Sequence, residues 1–467
     1  MLRREVKLSL AAVFAGLLSI AAFAADKPVS FYSEVVPVFK RSCNGCHHPG
    51  KLKGQLDLTT YEAFKKGGKH GAAFVPGDTE KSTIIEEITG AEPSMPKEGD
   101  PLSKAEVAMI ERWIKEGAKD DTPANAGSYK LAEPPTYVVP PVVSAMAFSP
   151  DGKILAVSGY HEVVLHSSDG SNLLARYVGE SPQIESLTFS TDGKLLGVAG
   201  SAPARFGEVQ IWDATEKGLG NPTNALLKSF KVSTDSIYGL SFSPDAKRVA
   251  FGGADKSVRI ISAEDGKELL KFDNHSDWIF ATLWLTDGKR ILSGSRDKAL
   301  KLIDASSSQF IDDINKLLEG VTCMARHPKE DVVVYGGDLG TTRIYKISDN
   351  QGRTAANNDV NLKKEFERLP GAVHAVAFSA DGNTIAVGGV GPEVRVFNAA
   401  DGKKLATLKG HEGAIFSVLF NPATSNQVVT AGFDGKVRVY ETGKGTLVKE
   451  FVPVPIKKNP GQQQAAK

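Results

Sequence analysis

Ala375-Val376-Ala377-Phe378, Ser379-Ala380-Asp381-Gly382, Thr384-Ile385-Ala386-Val387, Val394-Arg395-Val396-Phe397, Ala400-Asp401-Gly402 and Lys404-Leu405-Ala406-Thr407-Leu408 follow one another and decide the fold. Four short apolar runs, rich in β-branched residues, are separated by turns carrying Asp and Gly. Runs this short, between such turns, read as consecutive strands rather than helices. The unit recurs along the chain. Its first strand closes on an anchor residue that returns at Phe148, Phe189, Phe242, Trp284, Arg326, Phe378 and Phe420, at spacings of 41, 53, 42, 42, 52 and 42 residues. The surplus in the two long spacings falls in polar stretches, 216–224 and 348–361, which read as loop insertions. Seven four-stranded units of this period predict an all-β, seven-bladed propeller over 142–454.

The repeats resemble the WD-repeat family. The Trp-Asp pair occurs literally once, as Trp212-Asp213, while Tyr440, Phe397, Tyr345 and Ile303 stand near the tryptophan position elsewhere. The resemblance implies that His411 with Asp434, and His275 with Asp297, tie a loop to a turn within one blade rather than acting as catalytic dyads. It also implies a protein partner. Arg259, Arg343, Arg395 and Arg438 recur on third strands and read as a solvated face, with an anionic partner surface as the sharper alternative. Cys323 reads as a buried free thiol. No strand is evident to close the ring, unless 137–139 completes the last blade. A disordered tail is expected over 455–467.

Upstream, 121–141 holds five prolines and no helical period, and reads as a semi-stiff linker. Before it stands Cys43-Asn44-Gly45-Cys46-His47, the Cys-x-x-Cys-His spacing of covalent c-type haem attachment. Two thiols reach the two vinyl groups of one porphyrin, and the adjacent imidazole reaches the iron from one face. Cys43 and Cys46 are therefore candidates for thioether bonds and His47 for the proximal ligand. His48 is too close in sequence to serve the opposite face. A redox dithiol would call for a neighbouring βαβ pattern and a zinc site for more ligands, and neither is evident.

Around the motif, 26–120 reads as a small all-α domain. Helices are expected over 30–42, with Pro37 forcing a late start or a kink, over 61–66, and over 79–88 with Asp78 as N-cap. The last opens on the capping box Ser103-Lys104-Ala105-Glu106, lines up Val107, Ile110, Trp113 and Ile114, and stops at Gly117. The sixth iron ligand is expected from Met95 in the proline-bounded Pro93-Ser94-Met95-Pro96, with His70 as runner-up and Met109 as a core residue. Met/His ligation raises a haem potential and suits electron transfer. Phe31-x-x-x-Val35-x-Pro37, Cys43-x-x-Cys46-His47, Pro76-Gly77-Asp78, Met95-Pro96 and Trp113-Ile114 occur in the order of the planctomycete-type c-type cytochrome domain, which this region resembles. The resemblance implies one covalent haem c, held by Cys43 and Cys46 and ligated by His47 and Met95. Within this domain 40–69 carries seven basic residues against two acids, and 78–100 seven acids against two lysines. This reads as two solvated faces, or as a dipole that orients a redox partner.

Residues 1–25 read as an export signal, with Arg3, Arg4 and Lys7 before the apolar 8–22 and an Ala22-Phe23-Ala24 cleavage site. The uncharged run over 8–25 is short for a bilayer span, so no span is expected in the mature chain, and a periplasmic or otherwise exported location is. Three cysteines form no disulfide framework, and 56 basic against 55 acidic residues give no electrostatic case for nucleic acid. Three functions fit: an exported single-electron carrier with the propeller as docking platform, which is favoured over a substrate-converting enzyme; an oxidoreductase with a second, noncovalent site in the propeller, similar to nitrite reductases that pair a cytochrome c domain with a haem-binding propeller; and a haem-containing interaction or sensor protein. Only one Cys-x-x-Cys-His motif is present, which weighs against a second covalent haem.

Overall fold

A computed structural model describes residues 27–48, 51–97, 99–122, 133–314, 317–347, 361–424 and 426–457. The expected signal peptide, most of the 348–361 insertion, the centre of the linker and the tail beyond 457 lie outside the described residues. The chain divides into two compact units, 1–128 and 129–467.

The second unit is the seven-bladed propeller. Each blade is a four-stranded antiparallel sheet built from consecutive strands. The seven first strands end on the seven anchor residues, from Met146–Phe148 and Gln183–Phe189 to Val373–Phe378 and Ile415–Phe420. Blades stack face to face, so inner strands are covered on both sides. Val332–Gly337 is buried throughout, whereas the outermost strand Thr446–Phe451 is half-buried or exposed. That is why second strands read as continuous apolar runs while fourth strands are polar. Neighbouring blades also interlock at a glycine. A Cβ at Gly252 would meet Ile279 Cγ2 at 2.4 Å, and one at Gly336 would meet Val373 Cγ1 at 2.4 Å. In both cases the first strand of the next blade presses a β-branched side chain onto bare backbone. The 216–224 insertion forms a short helix, Glu216–Gly220, and a 3-10 turn, Pro222–Asn224.

The ring closes without strand exchange. Blade 7 takes all four strands from the C-terminal part, ending with Val437–Glu441 and Thr446–Phe451. Val143, Met146, Leu155 and Val157 of blade 1 pack against Val429, Ala431, Val437 and Val439 of blade 7. Two expected boundaries move here. Tyr137 does not complete blade 7; it pairs in parallel with Ile456, and its hydroxyl donates to Glu162 Oε1 at 2.8 Å. Glu162 is itself bound by Arg176 through two 2.7 Å contacts. The propeller thus takes up the end of the expected linker, and the start of the expected tail is ordered. Val454 is buried, and the Lys457 N–H donates to Tyr137 O at 2.8 Å. A buried Tyr137 and its pairing with Ile456 outweigh the proline-rich composition of both stretches.

The first unit has four short α-helices: α1 Val36–Ser42, α2 Tyr61–Lys66, α3 Thr83–Ile88 and α4 Lys104–Lys115. It is not wholly helical, because His47–His48 pairs antiparallel with Lys51–Leu52. A π-turn, Phe31–Val35, precedes α1 and places Pro37 in its first turn, where a missing N–H costs nothing. α3 starts later than expected. Asp78 does not cap it; its carboxylate instead accepts from the Glu80 and Lys81 N–H groups at 3.1 Å each, within its own turn. The capping box of α4 is present, and beyond it Ala118 N–H donates to Trp113 O at 2.9 Å. The core is aromatic: Phe31 stacks on Trp113 at 5.1 Å, Phe64 lies 4.6 Å from Phe74, and Phe39 meets Phe64 edge-on at 5.1 Å. The two ends of the unit are thereby packed together.

Candidate functional site

The Cys-x-x-Cys-His motif begins where α1 stops. Cys43 is the C-cap of the helix, and its N–H donates to Phe39 O at 2.9 Å. The chain then coils tightly, with the Cys46 and His47 N–H groups both donating to Cys43 O at 3.1 Å. The two thiols are therefore one turn apart, and neither is in a disulfide. His47 O accepts from the Leu58 N–H at 3.0 Å, and its register partner is Leu52. These two contacts pin the histidine backbone.

His47 is only 8% exposed, and its Nδ1 is a buried nitrogen without a hydrogen-bond partner among the described residues. Asn44 Oδ1 is likewise buried and unmatched. Buried polar atoms ordinarily have partners. Cys43 and Met95 both pack against the aromatic core of this unit. Burial pushes the Cys43 thiol up to about 11, only partly offset by the Arg41 charge. Met95 lies in irregular chain, and its N–H donates to Glu87 O at 2.9 Å. Of the alternatives, His70 is exposed between Gly68 and Gly71, and Met109 is half-buried on α4 against the core. The His48 side chain lies outside the described residues.

The donor set suits a porphyrin iron. The macrocycle supplies four ligands itself and asks the protein for axial ones. A buried imidazole, a thioether and two unpaired thiols on successive turns are the groups a c-type haem requires. Among the described residues no three or more His, Cys, Asp or Glu are grouped to hold a bare metal ion.

In the propeller, the His/Asp pairs are internal ties. His275 Nδ1 lies 2.8 Å from Asp297 Oδ2 and its Nε2 2.7 Å from Ser293 Oγ. His411 Nδ1 lies 3.1 Å from the Asp434 carboxylate and its Nε2 2.8 Å from Thr430 Oγ1. The Tyr440 hydroxyl, at the tryptophan position of that blade, donates to Lys409 O at 2.8 Å. Burial holds the His411 imidazole below its ordinary value. The third-strand arginines form neither a solvated face nor an open cationic surface for an anionic partner. Arg259 pairs with Asp255 and Glu268, Arg343 with Glu365, Arg395 with Glu367, and Arg438 with Asp434 and Glu450. In each blade carboxylates of adjoining strands and turns take up the charge. Cys323 is half-buried on the wall of a cavity in the propeller, and burial pushes its thiol up to about 12.

Comparison with known proteins agrees with this division. Residues 43–99 match the family described as Planctomycete cytochrome C. Residues 224–262 and 266–304 match the WD domain, G-beta repeat, and 286–459 match the Nucleolar protein 10-like, N-terminal domain. Among curated proteins, the chain is 36% identical over 81 residues to the Periodic tryptophan protein 2 homolog of Dictyostelium discoideum, covering 17% of this chain and 9% of that protein. It is 32% identical over 122 residues to Actin-interacting protein 1-2 of Arabidopsis thaliana, covering 25% and 19%. It is also 32% identical over 120 residues to WD repeat-containing protein 1 of Xenopus tropicalis, covering 25% and 18%. The chain thus spans less than a fifth of the length of these relatives. No helix among the described residues is long and apolar enough to cross a membrane.

Proposed function

We propose that this protein is an exported, monohaem c-type cytochrome that carries single electrons, with its WD-repeat propeller as the platform on which a partner protein docks. One observation carries the reading: two unpaired thiols one turn apart at the end of α1, followed directly by a buried imidazole with an unmatched nitrogen. Cys43 and Cys46 would hold the porphyrin by thioether bonds, and His47 and Met95 would ligate its iron. The haem, when bound, supplies one-electron exchange between Fe(II) and Fe(III).

The chain's own residues do the rest. The backbone contacts at Cys43 and Leu58 orient His47 before any ligand arrives, so little freedom is lost on ligation. The aromatic core against Cys43 and Met95 keeps water from one side of the site, and burial and ligation by a thioether both raise the potential. The lysines and Arg41 between 40 and 69 whose side chains are described are all exposed. Together with exposed Leu52, register partner of His47, they offer an anionic redox partner both charge and an apolar contact. Export fits this chemistry, because haem attachment requires both thiols reduced and reachable on an unfolded chain. The short 8–25 run supports a cleaved signal and a mature protein in the periplasm.

Expression of the chain in a host with haem-maturation machinery tests the reading. The mature protein is expected to gain the mass of one haem and to show a low-spin spectrum with a weak sulfur-to-iron band. That band is expected to vanish in Met95→Ala, and covalent haem to be lost in the Cys43→Ser/Cys46→Ser double variant. A mature chain that emerges without covalent porphyrin ends the electron-carrier account; a band that survives Met95→Ala removes Met95 alone.

A further inference from the structure

Six of the seven blades open with the same local irregularity. In blades 2 to 7 the first strand carries a register shift that leaves one residue unpaired against the second strand. The displaced residues are Glu185, Tyr238, Phe280, Thr322, His374 and Phe416. In each case the residue before is Ile or Val and the residue after is Gly, Ala, Ser or Cys. The Ile or Val packs between blades, the small residue lets the neighbouring strand approach, and the bulge turns the middle side chain toward the propeller axis. All six line one cavity of about 680 Å³, and Ser144 is the counterpart from blade 1. The repeat therefore presents one freely variable side chain per blade to a common space.

What these positions carry is not uniform. Glu185 brings a carboxylate, whose one described side-chain contact is Ser201 Oγ at 3.1 Å. The next two blades bring Tyr238 and Phe280, with ring centroids 5.1 Å apart, and Trp278 lies 6.0 Å from Tyr238. Across the ring His374 lies 5.3 Å from Phe416. Among the described residues lining the cavity there is no lysine or arginine. Arg296 lies over the Trp278 ring at 5.1 Å, and its charge is met by Asp277 at 2.9 Å. Burial raises the Glu185 carboxyl above its ordinary value and lowers the His374 imidazole below its own. Glu185 is thus a half-buried acid with no basic partner among the described residues, sharing its cavity with aromatic side chains. Aromatic faces attract cations, and most strongly where water is excluded.

The geometry points to a binding site for a small organic ammonium ion on the propeller axis, with Glu185 as the counter-charge and Tyr238, Phe280 and Phe416 as aromatic walls. The ammonium can be a free amine or the side chain of a lysine on a docked protein. The site is independent of the haem, so its test does not rest on the electron-carrier reading.

Isothermal titration of the full mature chain with choline, its neutral tert-butyl analogue, and a lysine blocked at both termini tests the assignment. Choline is expected to bind saturably at one site and the neutral analogue not to bind. Glu185→Gln, which keeps the side-chain shape, is expected to weaken choline at least tenfold, and Tyr238→Leu severalfold. Binding by the blocked lysine with the same dependence on Glu185 assigns the site to a partner's side chain; binding by choline alone assigns it to a free amine. Absence of saturable binding by either cation to the folded chain overturns the proposal. So does a neutral analogue that binds as well as choline, or a Glu185→Gln variant that binds unchanged. If Glu185→Gln does not fold, Tyr238→Leu and the neutral analogue decide.

Discussion

The two units of this protein store information in opposite ways. In the propeller one plan is repeated seven times, so any single residue matters little to the architecture and the period announces the fold. In the first unit no element repeats. Its fold rests on a few large side chains, Phe31, Phe64, Phe74 and Trp113, that meet once. Its proposed haem attachment, by contrast, sits in five consecutive residues, while the proposed propeller site is scattered one residue per blade over more than two hundred positions. Repetition makes structure easy to read and function hard to read, and a compact motif does the reverse.

The sharpest way to probe this contrast is through the three cysteines. In mature protein carrying haem, Cys43 and Cys46 are expected to resist alkylation completely. Cys323 is expected to react slowly at neutral pH, on the order of a hundredfold below an ordinary thiol, because the thiolate is the nucleophile and burial disfavours it. Its rate should climb steadily as pH rises toward about 12. Peptide mapping after iodoacetamide treatment reads all three sites at once; rapid labelling of Cys323 at neutral pH would contradict the raised thiol.

Stability should also separate the units. Trp113→Ala removes the residue on which the aromatic core of the first unit converges, and is expected to cost about 3–5 kcal/mol. Calorimetry should show one transition moving and the propeller transition holding still. A common shift would mean that the units melt together. Gly336→Ala is the matching change in the propeller. The added Cβ would press on Val373 and Cys323 Sγ, so a loss of about 1–3 kcal/mol is expected, confined to the propeller transition.

The smallest effect concerns pH. His411 is held below its ordinary value by burial, so on acidification the unfolded chain takes up a proton before the folded one does. Propeller stability should therefore fall as pH drops below about 6.5. Asp434, whose carboxyl is held low by Arg438 and His411 against the opposing effect of burial, loses its contribution only at more acidic pH. Comparing melting midpoints at about pH 7 and about pH 5.5 in wild type and His411→Asn isolates the histidine. Equal shifts in both proteins would remove it as the cause.

The architecture of the propeller was legible because strand burial imposes its period on the chain. The anchors from Phe148 to Phe420 end all seven first strands, even where Arg326 replaces an aromatic. The His275–Asp297 and His411–Asp434 ties were legible as well. The ring of Glu185, Tyr238, Phe280, Thr322, His374 and Phe416 was missed. A signal existed, an Ile or Val, then any residue, then a small residue at the head of each unit. Alternation alone would send the middle residue to one face of the sheet, and only the bulge turns it to the axis. The late start of α3 was missed because Asp78 is an equally good turn residue and N-cap.

From the amino-acid order alone come the seven-fold repeat, the spacing of Cys43, Cys46 and His47, and the capping box at Ser103, because each depends only on neighbours along the chain. Tertiary structure alone decided how the ring closes, with Tyr137 meeting Ile456 and Val143 meeting blade 7, and which third-strand arginines are already matched. It alone decided that six residues from six blades share one cavity. Those outcomes depend on parts of the chain that are far apart until the last blade packs against the first, and no local pattern encodes that contact.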